Sequence, residues 1–404
     1  MGAQSQPETT QSSASPQPGR TWLIPLLASI VAITPLAIDM YLPAMSAIAD
    51  SLNSDITRLQ QSLSVYLAGY ACGLLLFGPL ADKYGRRPLV LLGLSGFGIC
   101  SLLLAHATTP ESFFVLRFIQ AMIGSAATVV VPGYVKILYG DNTAKGMSYV
   151  SLIMMLAPLI APSIGSFILK ISHWQMVFYV LAVYAFAALV LVFFGLKIPE
   201  PGKTSEQKPG FIQAYKTVLS RPGVKGFIAS GVLTSFAFFC YLTASAFVFM
   251  EVFALDSHHF AMVFAANVGA LMLANVVNSR IVGRYGSLRL LRASSVLGVI
   301  FALLLVGANA LELELMATMV TLMPLMACLG VMSVNADAIV LLKFQQETGT
   351  VTAVIGTLRF GIGAAAGPLL ALLYTGTALP FSVLMLLAVV VALWCQHLSR
   401  RTQD

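Results

Sequence analysis

The stretch Gly78-Pro79-Leu80-Ala81-Asp82-Lys83-Tyr84-Gly85-Arg86-Arg87-Pro88 lies between two long uncharged runs, residues 59–81 and 89–110. Its charges stand out because the 404-residue chain is 58% hydrophobic and only 10% charged, with a mean hydropathy of +0.87. Soluble globular domains carry about 25% charged residues. Since a bilayer core about 30 Å thick needs roughly 20 apolar residues per helix, the two runs are predicted to be membrane helices joined by a short charged loop.

Further uncharged runs of similar length extend outward from this loop. Arg359 is expected to lie inside a helix of about residues 350–374, and Gly376 to Pro380 are expected to turn the chain into one more helix. The chain is therefore predicted to be an all-α membrane protein with twelve transmembrane helices. The uncharged runs are residues 21–38, 59–81, 89–110, 118–135, 146–169, 174–196, 226–250, 260–279, 293–311, 315–336 and 360–398.

The distribution of basic residues predicts the orientation. With the N-terminus inside, nineteen of the 23 Lys and Arg residues fall on the inner side, whereas the outer loops hold only Arg58 and Lys170. Cytoplasmic loops carry the excess of positive charge in membrane proteins. Both termini are therefore expected to be cytoplasmic. The net charge of +7 is explained by this topology, so a nucleic-acid partner is not expected.

Two halves of the chain share residue pairs at an offset of about 200 positions, which predicts two pseudo-symmetric six-helix bundles. A Pro- and Lys-rich stretch between the two halves is predicted to be a linker. The matched pairs are Tyr41-Leu42 with Tyr241-Leu242, Tyr84-Gly85 with Tyr285-Gly286, and Ala161-Pro162 with Gly367-Pro368. The predicted boundaries are a disordered cytoplasmic tail at 1–20, bundles at 21–196 and 226–398, a cytoplasmic linker at 197–225, and a cytoplasmic tail at 399–404.

The charged loop also predicts a conformational latch. Gly78 is expected to permit close helix packing and Gly85 a tight turn. Asp82 can pair with Arg86 and Arg87 at the cytoplasmic edge of the two helices. The alternative, an ordinary basic loop with a turn glycine, explains the arginines but neither Asp82 nor Gly78.

The fifth helix contains Ala157-Pro158-Leu159-Ile160-Ala161-Pro162-Ser163-Ile164-Gly165. Ala157, Ala161 and Gly165 recur at spacings of four and form a small-residue stripe along which another helix can approach closely. Pro158 and Pro162 are expected to make the helix bendable. Ordinary small-residue packing in a membrane helix remains the alternative.

These stretches resemble known motifs. The loop of residues 78–88 resembles the signature loop of the major facilitator superfamily, and the fifth-helix stretch resembles the motif of its exporter branch. Residues 38–43, 278–280, 333–336 and 358–363 resemble the Bcr/CflA drug-resistance family, particularly its bicyclomycin-resistance members. The resemblance implies the major facilitator fold and proton-coupled export of amphipathic antibiotics, such as bicyclomycin-like, chloramphenicol-like and sulfonamide-like compounds.

A charged side chain at membrane depth costs at least about 2.5 to 3.5 kcal/mol, so it needs a partner, a cavity or a function. Asp39 sits in the first helix between Pro35 and Pro43. Each proline removes a backbone donor, so the helix is predicted to be broken there, as beside a transport cavity. We expect Asp39 to be the proton-coupling acid. A static ion pair that holds helices together is the alternative.

Arg117, Gln120 and Gly124 fall on one face of the fourth helix. This pattern resembles the fourth-helix motif of the superfamily, and the resemblance implies that Arg117 faces the cavity and tunes the coupling carboxylate. Arginine stays charged in any environment, so Arg117 is expected to be a switchable partner and not a proton carrier.

Substrate selection is expected to depend on apolar and aromatic cavity walls with few polar anchors. Arg359 is interpreted as a substrate or anion contact, with a packing role as the alternative, and Asp337 as a solvated residue near a helix end. The predicted substrate-binding residues are Tyr41, Gln120, Phe238, Phe239, Tyr241, Asn267, Asn335 and Arg359.

Other classes are disfavoured. The buried polar residues offer no nucleophile and base pair and no metal-ligand spacing, so neither catalytic residues nor a metal site is predicted. A channel would need a filter or a charged ring, whereas an internal repeat gives one monomer its own pathway. We expect a monomer in the bacterial inner membrane that is driven by the proton gradient, without a cofactor, and binds protons and a small amphipathic substrate. Export of a nucleoside, purine or amino acid, or less favourably import, remains the alternative.

Overall fold

The computed structural model describes residues 23–139, 143–196, 223–344 and 348–401, with Lys216 and Ser220. The predicted tail at 1–20 and most of the linker lie outside the described residues. Within them the chain is helical and has no strand. The helical segments are α1 (Leu23–Ser51), α2 (Ile56–Tyr84), α3 (Arg86–Ala105), α4 (Pro110–Tyr139), α5 (Thr143–Ile171), α6 (Gln175–Gly195), α7 (Lys225–Val252), α8 (Ser257–Tyr285), α9 (Ser287–Ala310), α10 (Leu315–Leu342), α11 (Thr348–Gly363 and Ala366–Leu372) and α12 (Leu379–Arg401).

Eleven of the described helices are long and apolar enough to cross a membrane. The remaining one, α5, is 29 residues long, and its apolar part is the shorter helix Leu156–Ile171. The predicted all-α membrane architecture is confirmed. We call the side of the loop between α1 and α2 the outer side and the side of the loop between α2 and α3 the inner side, following the charge-based expectation.

Helix packing repeats between the halves. In the first half α2 packs on α4, α3 packs on α4 and α6, and α1 packs on α5. The equivalent helices of the second half make the same contacts, because α8 packs on α10, α9 packs on α10 and α12, and α7 packs on α11. Contacts across the halves are also symmetric, with α2 on α11 and α5 on α8. Two pseudo-symmetric bundles therefore meet along a central axis.

The first helix is broken near its middle. Its α-helical part, Leu23–Asp39, contains Pro35 without interruption. A short 3-10 turn at Leu42–Ala44 follows before the helix resumes at Met45. Because Pro43 has no backbone N–H, the regular hydrogen bonding stops there. The predicted break is confirmed after Asp39, whereas the helix continues without interruption through Pro35.

Two glycines turn the chain at equivalent inner loops. Gly85, between α2 and α3, has φ +90°, and Gly286, between α8 and α9, has φ +77°. Side chains with a Cβ rarely adopt such angles. The predicted tight turn at Gly85 is confirmed. The predicted close packing at Gly78 is not found among the described residues, because a Cβ built there meets none of their atoms within 4 Å.

The small-residue stripe of α5 packs against the break in α1. Ala157 and Ala161 are buried, and a Cβ on Gly165 would collide with the carbonyl oxygen of Met40. The close approach expected from the stripe is confirmed at Gly165. Pro158 and Pro162 lie inside one continuous helix.

We expect Gly165→Val to destabilise the protein. The added side chain must displace the backbone of α1 at Met40, and overpacking of this kind costs about 1 to 3 kcal/mol. The midpoint temperature of thermal unfolding, measured in detergent, should fall clearly. The control is Gly361→Ala in α11, where a Cβ meets no atom within 4 Å. An equal loss in both variants would contradict the tight contact.

Candidate functional site

The break in α1 carries a buried acid. Asp39 is 2% exposed, and its Oδ1 has no hydrogen-bond partner among the described residues. Tyr241 of α7, the repeat counterpart of Tyr41, is close enough to Asp39 for the two side chains to interact electrostatically. The described ion pairs do not include Asp39. A buried carboxyl group without a donor is expensive to keep, so its position needs an explanation other than a static ion pair.

Arg117 of α4 is fully buried beside the same break. Its Nη2 donates to the carbonyl oxygen of Ala37 at 3.0 Å, and its Nη1 donates to Gln120 Oε1 at 2.9 Å. The guanidinium carbon lies 4.3 Å from the ring centroid of Tyr41 and 4.4 Å from that of Tyr66. Two aromatic faces and two oxygens thus stabilise a cation at membrane depth.

The Arg117 network continues away from the centre. Gln120 Nε2 donates to Ser101 Oγ at 2.8 Å, and Ser101 Oγ donates to the carbonyl oxygen of Phe97 at 2.8 Å. Gln120 is therefore already committed on both sides of its amide and is fully buried. Arg117 contacts the backbone two residues before Asp39 and makes no described ion pair with the acid. Its predicted tuning of the carboxylate remains a prediction.

A row of polar side chains on α2 completes this half of the site. Tyr41 and Ser62 share a hydrogen bond of 3.2 Å between their hydroxyl groups, and Tyr70 and Thr128 share one of 2.8 Å. The sequence analysis missed Ser62, Tyr66 and Tyr70. Their spacing of four residues, which places all three on one helix face, was the signal that could have found them.

Aromatic rings join the two halves. The ring centroids of Tyr70 and Phe360 are 4.5 Å apart, those of Phe360 and Phe239 are 5.6 Å apart, and those of Phe239 and Phe238 are 5.8 Å apart. These four residues come from α2, α11 and α7. We call them the aromatic bridge. Phe238 and Phe239 were predicted site residues, whereas Phe360 and Tyr70 were not.

The two predicted asparagines are fully buried in the second half. Asn335 Nδ2 donates to Asn278 Oδ1 at 2.7 Å and connects α10 to α8. Asn267 Nδ2 donates to the carbonyl oxygen of Val263 at 2.9 Å. Tyr241 stacks on Phe264 with a centroid distance of 5.7 Å. In this conformation Asn335 connects two helices, whereas Asn267 donates to a carbonyl oxygen of its own helix.

Arg359 and Asp337 form an ion pair between α11 and α10. Arg359 Nη2 lies 2.8 Å from Asp337 Oδ1, and the two side chains are 18% and 32% exposed. The expectation that Asp337 is simply solvated is therefore wrong, since an arginine neutralises it. Arg359 Nε is buried without a partner among the described residues, so the arginine keeps one unused donor.

Two hydrogen bonds join the halves on the outer side. Ser46 Oγ of α1 donates to Glu251 Oε1 of α7 at 3.2 Å. The amide of Gly367 in α11 donates to Ser64 Oγ of α2 at 2.8 Å. Both of these hydrogen bonds lie in the outer parts of their helices. Beside them a cavity of about 670 Å³ opens at the outer ends of α1, α5 and α7.

The inner loop is described only in part. Arg87 Nη2 donates to the carbonyl oxygen of Phe193 at 2.8 Å, and Arg86 lies against Gly133 of α4. The side chain of Asp82 lies outside the described residues, so the predicted latch remains a prediction. Among the described residues there is no group of three His, Cys, Asp or Glu side chains that could hold a metal ion.

Two six-helix halves of the same topology that meet around a buried acid are typical of a secondary transporter. The chain belongs to the Major Facilitator Superfamily, whose family model matches residues 27–368. Its function is therefore transport across a membrane and not catalysis.

Named relatives cover most of the chain. It is 30% identical to the "Bicyclomycin resistance protein homolog" of Haemophilus influenzae over 89% of this chain and 91% of that protein. It is 29% identical to "Multidrug resistance protein MdtL" of Shigella dysenteriae over 67% of this chain and 68% of that protein. A crystal structure of the nucleoside transporter NupG has a TM-score of 0.71 and 13% identity, covering 95% of this chain and 99% of that one. This last likeness supports the fold alone.

Proposed function

We propose that this protein is a proton-coupled efflux antiporter that exports small amphipathic compounds, including antibiotics, by alternating access. The observation that carries the proposal is the buried Asp39 at the break in α1, whose Oδ1 has no hydrogen-bond partner among the described residues. Relatives named for resistance to bicyclomycin and to multiple drugs support export as the direction. The proposed location is the bacterial inner membrane, with both termini cytoplasmic and the protein acting as a monomer.

In the proposed cycle Asp39 binds a proton when it communicates with the outside and releases it to the inside. The contacts of Ser46 and Gly367 join the halves at the outer side, which supports assigning this conformation to the step that receives substrate from the inside. Substrate and proton compete for the neighbourhood of Asp39. Arg117 stays charged throughout the cycle, so it does not carry the proton. Its proposed role is to hold the broken helix α1 in position.

The aromatic bridge provides the proposed apolar wall of the substrate site. Aromatic faces suit varied amphipathic ligands because they offer contact area without strict hydrogen-bond geometry. Arg359, through its unused Nε, is the proposed polar anchor. Bicyclomycin-like, chloramphenicol-like and sulfonamide-like molecules are the proposed substrates.

Expression in an efflux-deficient bacterium tests this function. We expect the wild type to raise the minimal inhibitory concentration of at least one of these three drug classes, and an uncoupler to abolish uptake of that drug into energised inverted vesicles. Phe239→Ala should change the drug profile, because it removes the centre of the aromatic bridge. The matched control is Phe194→Ala, a residue 68% exposed on α6.

Two outcomes would contradict the proposal. If no drug is exported while a nucleoside, purine or amino acid is, the protein is a metabolite exporter. If drug profiles of the Phe239 and Phe194 variants change equally, the aromatic bridge is not the substrate wall.

A further inference from the structure

A second cavity lies between α8 and α10, away from the transport site. It has a volume of about 440 Å³, within the range of about 300 to 1,000 Å³ typical of ligand pockets. Leu273 and Val277 on its wall are 65% and 48% exposed, so it opens toward the lipid and not toward the protein centre. We call it the lateral groove. Its lining is Ala270, Leu273, Ala274, Val277, Asn278, Ile281, Met323, Pro324, Ala327 and Val331.

The α8 wall of the lateral groove leads to a positive charge. Its lining positions, from Ala270 to Ile281, follow spacings of three and four and form one stripe of the helix. The next two positions of this stripe are Arg284 and Tyr285, both exposed at the inner end of α8. The Arg284 guanidinium carbon lies 5.5 Å from the centroid of the Tyr285 ring. An arginine beside a tyrosine is a typical anchor at the membrane interface.

The length of the stripe fits one leaflet of the bilayer. At 1.5 Å per residue, Ala270 lies about 17 Å from Ile281 along the helix axis and about 21 Å from Arg284. Half of the hydrocarbon core is about 15 Å thick. An acyl chain lying in the groove would therefore end near the bilayer centre while its headgroup phosphate reaches Arg284.

The helices that line the lateral groove also make contacts elsewhere in the protein. Asn278, a lining residue, accepts a hydrogen bond of 2.7 Å from Asn335 of α10. Helix α8 also packs on α5 across the interface between the halves. A ligand bound between α8 and α10 therefore contacts α8, the helix that packs against the other half of the protein. Alternating access is expected to change this packing between the halves.

We propose that the lateral groove binds one acyl chain of an anionic phospholipid of the inner leaflet, with the lipid phosphate held by Arg284. The groove supplies the apolar surface and Arg284 supplies the charge complementarity. The inference depends on the membrane fold and not on which substrate is exported.

Native mass spectrometry of the full-length protein in detergent tests the proposal. Phosphatidylglycerol and phosphatidylcholine with identical acyl chains are added in equal amounts. We expect the wild type to retain phosphatidylglycerol roughly fivefold better, the ratio expected for one arginine close to an anionic lipid. Arg284→Gln should remove this preference, and Ala274→Phe, which fills the groove, should lower retention of both lipids.

The controls separate this site from general surface effects. Arg289→Gln removes another exposed cation at the inner side, in the first turn of α9, and Ala293→Phe adds the same ring to an exposed position of α9. Neither should alter lipid retention. Equal retention of both lipids by the wild type would overturn the proposal, as would equal losses in Arg284→Gln and Arg289→Gln. If Ala274→Phe leaves lipid retention unchanged but alters drug export, the groove is a substrate entrance and the proposal is wrong.

Discussion

Asp39→Asn is expected to abolish proton-driven export. The substitution keeps the size of the side chain but removes the carboxyl group at the break in α1, which would otherwise bind and release a proton; the described ion pairs do not include Asp39. Proton-driven uptake of drug into energised inverted vesicles should be lost, because an amide cannot bind and release a proton and an intramembrane acid is a functional site by default. Counterflow, which exchanges substrate without a proton gradient, should persist.

The control for this experiment is Asp55→Asn, an exposed aspartate in the loop before α2. It should transport like the wild type. Gradient-driven, pH-dependent export by Asp39→Asn at the wild-type rate would remove Asp39 from the coupling role. Loss of counterflow along with export would instead assign Asp39 to substrate binding.

Arg117→Lys is expected to have the next largest effect. The guanidinium bonds to both the Ala37 carbonyl and Gln120 and stacks between Tyr41 and Tyr66. A lysine ammonium is a point donor and cannot hold this planar arrangement. One buried acceptor is then left unsatisfied, at a cost of about 1 to 3 kcal/mol. We expect lower thermal stability by about 1 to 3 kcal/mol, together with reduced transport because the α1 break is no longer held in place.

Arg58→Lys is the matched control. Arg58 pairs with Glu111 at the outer surface, where both side chains are more than half exposed, and exposed pairs contribute about 0 to 1 kcal/mol. The same conservative change should therefore be nearly silent. If Arg117→Lys transports normally, the guanidinium does not hold the α1 break.

The fold followed from the sequence because each of its determinants is local. A membrane helix is specified by its own composition, and the turn at Gly85 is specified by a residue that tolerates φ +90°. The break after Asp39 was predictable from Pro43, which removes a donor wherever it stands. Pro35 was expected to act alike, yet it is accommodated within the helix.

The site was less predictable because it depends on contacts between distant segments. Arg117 was expected to face the cavity and tune the coupling carboxylate, and its described acceptor in α1 is a backbone carbonyl that no sequence pattern marks. Asp337 lies near a helix end, which suggested solvation, and only the tertiary structure brings Arg359 from the next helix to it. At Gly78 the motif predicted a close helix contact, but a Cβ built there meets no atom of the described residues within 4 Å.

Proteoliposomes with an imposed pH gradient test the central claim most directly. With no other energy source, drug uptake is measured into vesicles whose lumen is acidic, alkaline or equal in pH to the medium. Proton-coupled antiport predicts accumulation of drug in the acidic lumen by the wild type, with simultaneous release of protons, and neither process in Asp39→Asn. Accumulation that is independent of the gradient, or that occurs in the alkaline lumen, would contradict it.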